Sequence, residues 1–142
     1  YRRQRQMCIR DRYEDLVCPY AMVRYVSAIA NGGSVYEPTL LGHGSLDKET
    51  QLLSAETARQ ISEMMNYNVQ NVYGTWTFGG LNVSAKTGTA EVGDGTSHAW
   101  ITGFLNDTAH PYAFVVILEH AGGGLANAGP VANAVLQAAI AG

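Results

Sequence analysis

A lysine, a glycine and two threonines occupy four consecutive positions, Lys86, Thr87, Gly88 and Thr89, within the stretch "SAKTGTAEV". On a strand, both threonine side chains would point to one side and the lysine to the other, while the glycine leaves the backbone bare for close approach. Hydroxyls and an ammonium bind a carboxylate through charge-assisted hydrogen bonds. A backbone N–H at the same edge could face a developing oxyanion. The stretch therefore predicts a site for an anionic, peptide-like ligand.

The second half of the chain, which contains this stretch, has the pattern of an antiparallel sheet. Three runs rich in β-branched and aromatic residues, 81–92, 97–105 and 112–120, are separated by the turn-forming segments "GDGT" and "NDTAHP". A parallel crossover needs a dozen or more residues, so these runs should pair as antiparallel neighbours. We expect a three-stranded meander with Lys86 on its first strand.

Three helices are predicted around this sheet. Pro19 suits the first position of a helix that Gly32 and Gly33 would stop, Ser54 suits the N-cap of a second helix, and residues 129–141 form a third. A loose hairpin should connect the first two helices. The order helix, helix, three strands, helix predicts an α+β fold.

The apolar stripes of the second and third helices are expected to face the core, and helical spacing gives that of the second as Ala58, Ile61, Met65 and Val69. Met64, Met65 and Tyr67 are interpreted as packing residues rather than as ligands. On the third helix, helical spacing predicts one apolar side made of Val131, Val135, Leu136, Ala139 and Ile140.

Composition and charge indicate one globular domain with an unusual first segment. The chain has 142 residues, of which 46% are hydrophobic and 15% charged, and it contains no apolar run of membrane-spanning length. Residues 1–12 hold five of the nine basic residues, which leaves four basic and eleven acidic residues in the remainder. This segment resembles translated sequencing-adapter remnants, so we interpret 1–12 as non-native and 13–142 as the domain. Nucleic-acid binding through its arginines is disfavoured because no aromatic residues are interleaved with them.

Cysteine and histidine give no pattern of a metal or cofactor site. Cys8 falls in the first segment and Cys18 stands alone, so neither a disulfide framework nor metal-ligand spacing is present. The histidines lack paired spacing, and no metal or cofactor is predicted from their positions, His43, His98, His110 and His120.

The order of several motifs carries a family resemblance. "KTGTAE", a turn, and "HAWITGF" follow "MMNYNVQNVYGTW" and, further upstream, "YAMVRYVSAIANGGSVYEPTLL". From about Tyr13 to Gly142 this resembles the transpeptidases of the penicillin-binding proteins, relatives of the serine β-lactamases, and within them the monofunctional class B branch. The resemblance implies a largely antiparallel sheet between helices, of which this chain supplies three strands.

The resemblance also implies a chemistry and a set of roles. Family members acylate a serine with a D-Ala-D-Ala stem peptide and pass the acyl group to an amine, using S-x-x-K, S-x-N and K-[ST]-G motifs. By this resemblance Lys86 supplies positive charge to the cleft and contacts the S-x-N serine, and Thr87 and Thr89 hold the substrate or penicillin carboxylate. Gly88 contributes to substrate binding by leaving the backbone bare for close approach. The backbone N–H of Thr89 is then half of the oxyanion hole, and His98 helps to shape the cleft.

The implied partners and location follow from the same resemblance. They are peptidoglycan stem peptides, β-lactam antibiotics and cell-wall synthesis proteins, with no nucleic acid. Family members act at the extracytoplasmic face of the bacterial cytoplasmic membrane, held by an N-terminal anchor that would lie in a missing part.

Two of the three motifs do not have a convincing counterpart in this chain. The one S-x-x-K match runs from Ser45 to Lys48, in a glycine-flanked segment after the first helix, and we interpret it as coincidence. No S-x-N triplet occurs. We therefore expect the C-terminal part of a catalytic domain that is inactive alone and marginally stable or prone to aggregation.

Two alternative functions remain open. A serine β-lactamase or a β-lactam sensor shares the Lys-Thr-Gly strand, and deacylation rates on a complete protein would separate them from a transpeptidase. A non-catalytic module that binds peptidoglycan or scaffolds a partner would also explain the missing nucleophile. A start codon beside Tyr13 would favour that module.

Overall fold

The computed structural model describes residues 9–11, 15–39 and 49–142. In chain order the strands and longer helices are β1 (Ile9–Asp11), β2 (Asp15–Val17), α1 (Pro19–Ala30), β3 (Ser34–Tyr36), β4 (Glu49–Gln51), α2 (Ala55–Tyr67), β5 (Val83–Val92), β6 (Thr96–Leu105), β7 (Ala113–Leu118) and α3 (Gly129–Ala141). Strands β5, β6 and β7 form an antiparallel sheet in that order. The predicted α+β fold and the three-stranded meander are confirmed.

The sheet has a hydrophobic core on each face, because successive side chains of a strand alternate between faces. On one face, α1 and α2 pack on Phe104 through Val26, Ile29 and Met65. On the other, α3 packs through Ala132 and Leu136 on sheet residues that are fully or almost fully buried, among them Val83, Ala85, Ala99, Ile101 and Leu105. The sheet thus lies between helices, as the resemblance implied.

A short irregular connection carries the chain from α2 round the outer edge of β5, the edge turned away from β6. We call residues 68–78 the crossing turn; it consists of a π-helical turn (Asn68–Tyr73) and a 3-10 turn (Thr75–Phe78). Met65 of α2 packs on one face of the sheet, whereas Val69 and Tyr73 belong to the core on the other. The crossing turn therefore brings its side chains alongside the outer edge of β5.

The stripe predicted for the second helix is confirmed, since Ala58, Met65 and Val69 are buried and Ile61 packs on the core. Other packing predictions for the two helices need correction. Of the three residues interpreted as packing, Met64 and Tyr67 are exposed, and only Met65 is buried. On α3, Val131 and Val135 point outward, and Ala132 with Leu136 contacts the core. The helix is apolar almost all round, so periodicity alone does not define its buried face, and small Ala132 allows the closer approach.

Two smaller hairpins complete the described part. Strands β3 and β4 form the hairpin expected between the first two helices. Strand β1, which lies within the segment interpreted as non-native, pairs with β2 and lies near β5. The Ser45–Lys48 match, His43 and Cys8 fall outside the described residues. No helix in the described part is long and apolar enough to cross a membrane.

The start of α2 gives a first test of the fold. Ser54 Oγ accepts a hydrogen bond from the Thr57 N–H at 3.0 Å, as the N-cap prediction requires. We expect Ser54→Ala to lower the free energy of unfolding by about 1 kcal/mol, and Ser54→Asp to retain it because aspartate also caps well. Urea unfolding of the two variants checks this. An aspartate variant as unstable as the alanine variant would contradict the capping argument.

Candidate functional site

The residues that the sequence singled out lie along the outer edge of β5. In an antiparallel pair of strands, the N–H and C=O groups of one residue both point toward the partner strand, and those of the next residue both point away from it. The Val83 carbonyl accepts from Asn66 Nδ2 at 3.0 Å, and the Thr87 N–H donates to the Tyr73 hydroxyl at 3.1 Å. Positions 83 and 87 therefore face outward, and Thr89, two residues on, faces the same way.

Lys86 is exposed on the α1 and α2 face of the sheet, where it pairs with Thr102 of β6. Its Nζ donates to the Thr87 carbonyl at 2.6 Å, so the ammonium curls back toward the outer edge. Lys86 also lines a cavity of about 510 Å³ between the sheet, α1 and α2, together with Gly88 and Trp100. A cation is thus held between the edge of β5 and a largely apolar cavity.

Gly88 is not required by the packing of the protein itself. A Cβ built at Gly88 would meet only the Trp100 Cβ, at 3.4 Å, which is ordinary contact. Gly88 pairs with Trp100, and both residues line the cavity, so a Cβ at position 88 would project on the cavity face of the sheet. The glycine therefore keeps space open on the side where Lys86 lies.

The Thr87 side chain points to the opposite face and is held by the crossing turn. Its Oγ1 donates to the Tyr73 hydroxyl at 3.2 Å, and its N–H reaches the same oxygen. Tyr73 is buried, and Thr77 Oγ1 donates to its carbonyl at 2.9 Å. Thr87 is thus fixed to a phenol that belongs to the core.

Thr89 is held by the segment that follows β7. The Gly124 N–H donates a hydrogen bond to Thr89 Oγ1 at 3.3 Å. This bond uses one lone pair of the hydroxyl oxygen, so the hydroxyl proton of Thr89 can still be donated to a ligand. Two residues earlier, the Gly122 N–H donates to the Ser97 carbonyl at 2.9 Å. A further two back, the His120 N–H donates to His98 Nδ1 at 3.0 Å. Three alternate N–H groups therefore tie this segment to β5 and β6.

His98 and His120 are neighbours in the fold, although the spacing of the histidines in the sequence does not pair them. Their rings meet edge to face with centroids 5.0 Å apart, just beyond the last pair of β6 with β7, which is Ala99 with Leu118. His98 is buried and its Nδ1 accepts a hydrogen bond, so in the neutral ring the proton is on Nε2. It lies on the same sheet face as Trp100, two residues away. Its cleft-shaping role stays a prediction.

The loop between β5 and β6 contains a carboxylate with a perturbed pKa. Asp94 Oδ1 accepts from Thr96 Oγ1 at 2.6 Å and from Thr96 N at 2.9 Å. These bonds, with a smaller contribution from the charge of His120, hold the pKa of Asp94 below its ordinary value. Because its pKa is lowered on folding, Asp94 stabilises the folded state at pH values above about 4, the ordinary pKa of an aspartate in an unfolded chain. This stabilisation is lost as the pH falls through the pKa that Asp94 has in the folded state.

The hydroxyl of Thr96 is the first cause of this shift, so we expect Thr96→Val to raise the pKa of Asp94 toward its ordinary value. Carbonyl-carbon NMR titration of the aspartates measures it. Asp107 is an internal control, because its pKa is lowered by bonds from His110 and Ala109 elsewhere in the chain. An unchanged pKa of Asp94 would show that the threonine hydroxyl is not the cause.

No group of three or more histidine, cysteine, aspartate or glutamate residues in the described ranges is placed to hold a metal ion. Each residue of the Lys86–Thr89 stretch lies where strand alternation predicted, with Lys86 on one face and the two threonines on the other. Tyr73 and Gly124 were missed. Tyr73 lies within "MMNYNVQNVYGTW" but had no role assigned to it, and Gly124 follows β7 outside any of the quoted motifs. Both come from irregular segments that periodicity does not describe.

A three-stranded antiparallel sheet between helices, with Lys-Thr-Gly-Thr on its edge strand, is the arrangement that the resemblance to penicillin-binding transpeptidases implied. The family model described as the penicillin binding protein transpeptidase domain matches residues 12–137. This chain therefore belongs to that family.

One similar protein is the peptidoglycan D,D-transpeptidase PbpA of Mycobacterium tuberculosis, 27% identical over 87% of this chain and 29% of the relative. Among solved structures, the imipenem acyl-enzyme complex of penicillin-binding protein A from M. tuberculosis is similar with a TM-score of 0.73 and 27% identity, covering 91% of this chain and 32% of that one. A complex of PBP2 with MreC from Helicobacter pylori is similar with a TM-score of 0.71 and 25% identity over 87% of this chain and 25% of that one. This chain thus spans less than a third of each relative.

Proposed function

We propose that this chain carries one wall of the active site of a peptidoglycan D,D-transpeptidase, the K-[ST]-G strand. The observation that supports this best is the outer edge of β5, where an ammonium, two hydroxyls and outward-facing N–H groups are gathered. The relative named above is a D,D-transpeptidase, and its acyl-enzyme complexes are with imipenem and penicillin G.

In this proposal each residue of the stretch has a distinct role. Lys86 supplies positive charge to the cleft, and the bare backbone at Gly88 lets the substrate lie against the strand. Thr87 and Thr89 donate their hydroxyl protons to the substrate carboxylate. The Thr89 N–H faces outward and serves as half of the oxyanion hole, where it stabilises the charge of the tetrahedral intermediate.

The serine nucleophile and the S-x-N motif belong to sequence upstream of this chain. Acylation needs a nucleophile and a base within hydrogen-bond reach. The one S-x-x-K match in the sequence, at Ser45, follows the first helix, whereas in the family the serine motif precedes the corresponding helix. We propose that this chain alone does not react with β-lactams. In the parent protein it acts at the extracytoplasmic face of the membrane on stem peptides, with other cell-wall synthesis proteins as partners.

A fluorescent penicillin tests the proposal on a chain extended with its upstream genomic sequence. Lys86→Ala should slow labelling by about 100-fold or more, whereas Ser45→Ala should label at the unchanged rate. Intact-mass analysis of the 142-residue chain with penicillin should find no adduct. Labelling of the extended chain that does not depend on Lys86, or an adduct on Ser45, would show the proposal to be wrong.

A further inference from the structure

The hydroxyl of Tyr73 is a polar group at the outer edge of β5 to which the proposed reaction gives no role. The residue is 8% exposed, and its oxygen lies 3.1 Å from Thr87 N and 3.2 Å from Thr87 Oγ1. The phenol oxygen is the acceptor in both contacts, so its own proton takes part in neither.

The pair Tyr73–Thr87 can reverse its direction when a ligand arrives. The Thr87 hydroxyl has one proton, which it cannot give to Tyr73 and to a carboxylate at the same time. If it turns that proton to a carboxylate, its oxygen becomes free to accept the Tyr73 O–H. The Thr87 N–H keeps its bond to the phenol in both arrangements, because the phenol oxygen has a second lone pair.

We propose that Tyr73 is a positioning residue that acts through Thr87 to favour ligands ending in a carboxylate. In the bound state a chain runs from the Tyr73 O–H to Thr87 Oγ1 and from the Thr87 O–H to the ligand. Hydrogen bonds in such a chain polarise one another, and the last bond is strongest when its acceptor is charged. This inference rests on the proposed function and deepens it by naming the ligand feature that Tyr73 helps to recognise.

Tyr73→Phe is a mild variant with which to test this. The ring stays in the core, and the bond from Thr77 Oγ1 to the Tyr73 carbonyl does not involve the phenol oxygen. Thr87→Val removes the hydroxyl that would contact the ligand and retains the branched shape. The two variants and their combination form a double-mutant cycle.

The probes are N-acetyl-D-alanyl-D-alanine and its C-terminal amide, titrated into the 142-residue chain with binding followed by NMR shifts of the Thr87 and Thr89 amides. We expect Tyr73→Phe to weaken binding of the carboxylate about 3- to 10-fold, the effect of one hydrogen bond, and binding of the amide less than 2-fold. In the Thr87→Val background, adding Tyr73→Phe should cause no further loss.

We call the chain of hydrogen bonds from Tyr73 through Thr87 to the ligand the relay. The outcomes separate the relay from the proposed function. The relay would be overturned, and the carboxylate site left intact, if Tyr73→Phe affected both probes equally or affected neither. A full additional loss in the Thr87→Val background would have the same meaning. If the wild-type chain does not prefer the carboxylate and Thr87→Val changes nothing, the carboxylate site itself is wrong, and the relay fails with it.

Discussion

Gly124→Ala is expected to lower the free energy of unfolding by about 3 kcal/mol, at the upper end of overpacking effects. A Cβ at this position would lie 2.3 Å from the Gly88 carbonyl oxygen and 2.5 Å from that of Trp100. Both contacts are with backbone in paired strands, so neither atom can move without disturbing β5 or β6. The Gly124 N–H would also be displaced from Thr89 Oγ1. Urea unfolding monitored by circular dichroism measures the loss, and the Thr89 amide shift reports the local change.

The neighbouring glycine provides a matched control for that variant. Gly123 has an extended backbone with φ −73°, and a Cβ there would meet nothing within 4 Å. Gly123→Ala should therefore change stability by no more than about 0.5 kcal/mol. Equal losses at positions 123 and 124 would mean that loop flexibility, rather than contact with the sheet, sets the cost.

Phe78→Ala is expected to cost about 3–5 kcal/mol, the range for removing a fully buried aromatic side chain. Phe78 is fully buried at the end of the crossing turn, and its ring centroid is 6.2 Å from that of Phe114 in β7. Its loss would leave a cavity between the sheet and α3. Thermal and urea unfolding should both show the destabilisation, up to complete loss of the folded state.

Trp76 lies two residues away in the same 3-10 turn and is 78% exposed. Trp76→Ala removes a larger side chain, but one that covers little of the protein surface. It should therefore change the free energy of unfolding by about 0.5 kcal/mol or less. Comparable losses at positions 76 and 78 would argue against the placement of Phe78 in the core.

The sheet and helices could be predicted because their determinants are local. Short turn-forming connections leave only antiparallel pairing for the three strands, and Pro19 and Ser54 fix the helix starts through backbone chemistry. The alternation of side chains along β5 follows from strand geometry alone, which is why the opposite directions of Lys86 and the threonines were predictable.

The remaining features depend on contacts between distant parts of the chain. Tyr73 reaches Thr87 only because a π-helical turn wraps round β5, and no periodic pattern marks such a turn. His98 and His120 are 22 positions apart and meet through the register of β6 and β7. The buried face of α3 is set by how closely Ala132 approaches the sheet, which an almost uniformly apolar helix does not reveal.

The side chains along the outer edge of β5 have a consequence for self-association. An edge strand with unpaired backbone groups is a template for adding another strand, and proteins commonly block such edges. Along β5, Asn66 occupies the outward carbonyl of Val83, and Tyr73 and Lys86 occupy the outward groups of Thr87. A second chain could not pair along the full length of β5 without breaking these bonds. The side chains that present the site to a small extended ligand therefore also protect this edge from indefinite sheet growth.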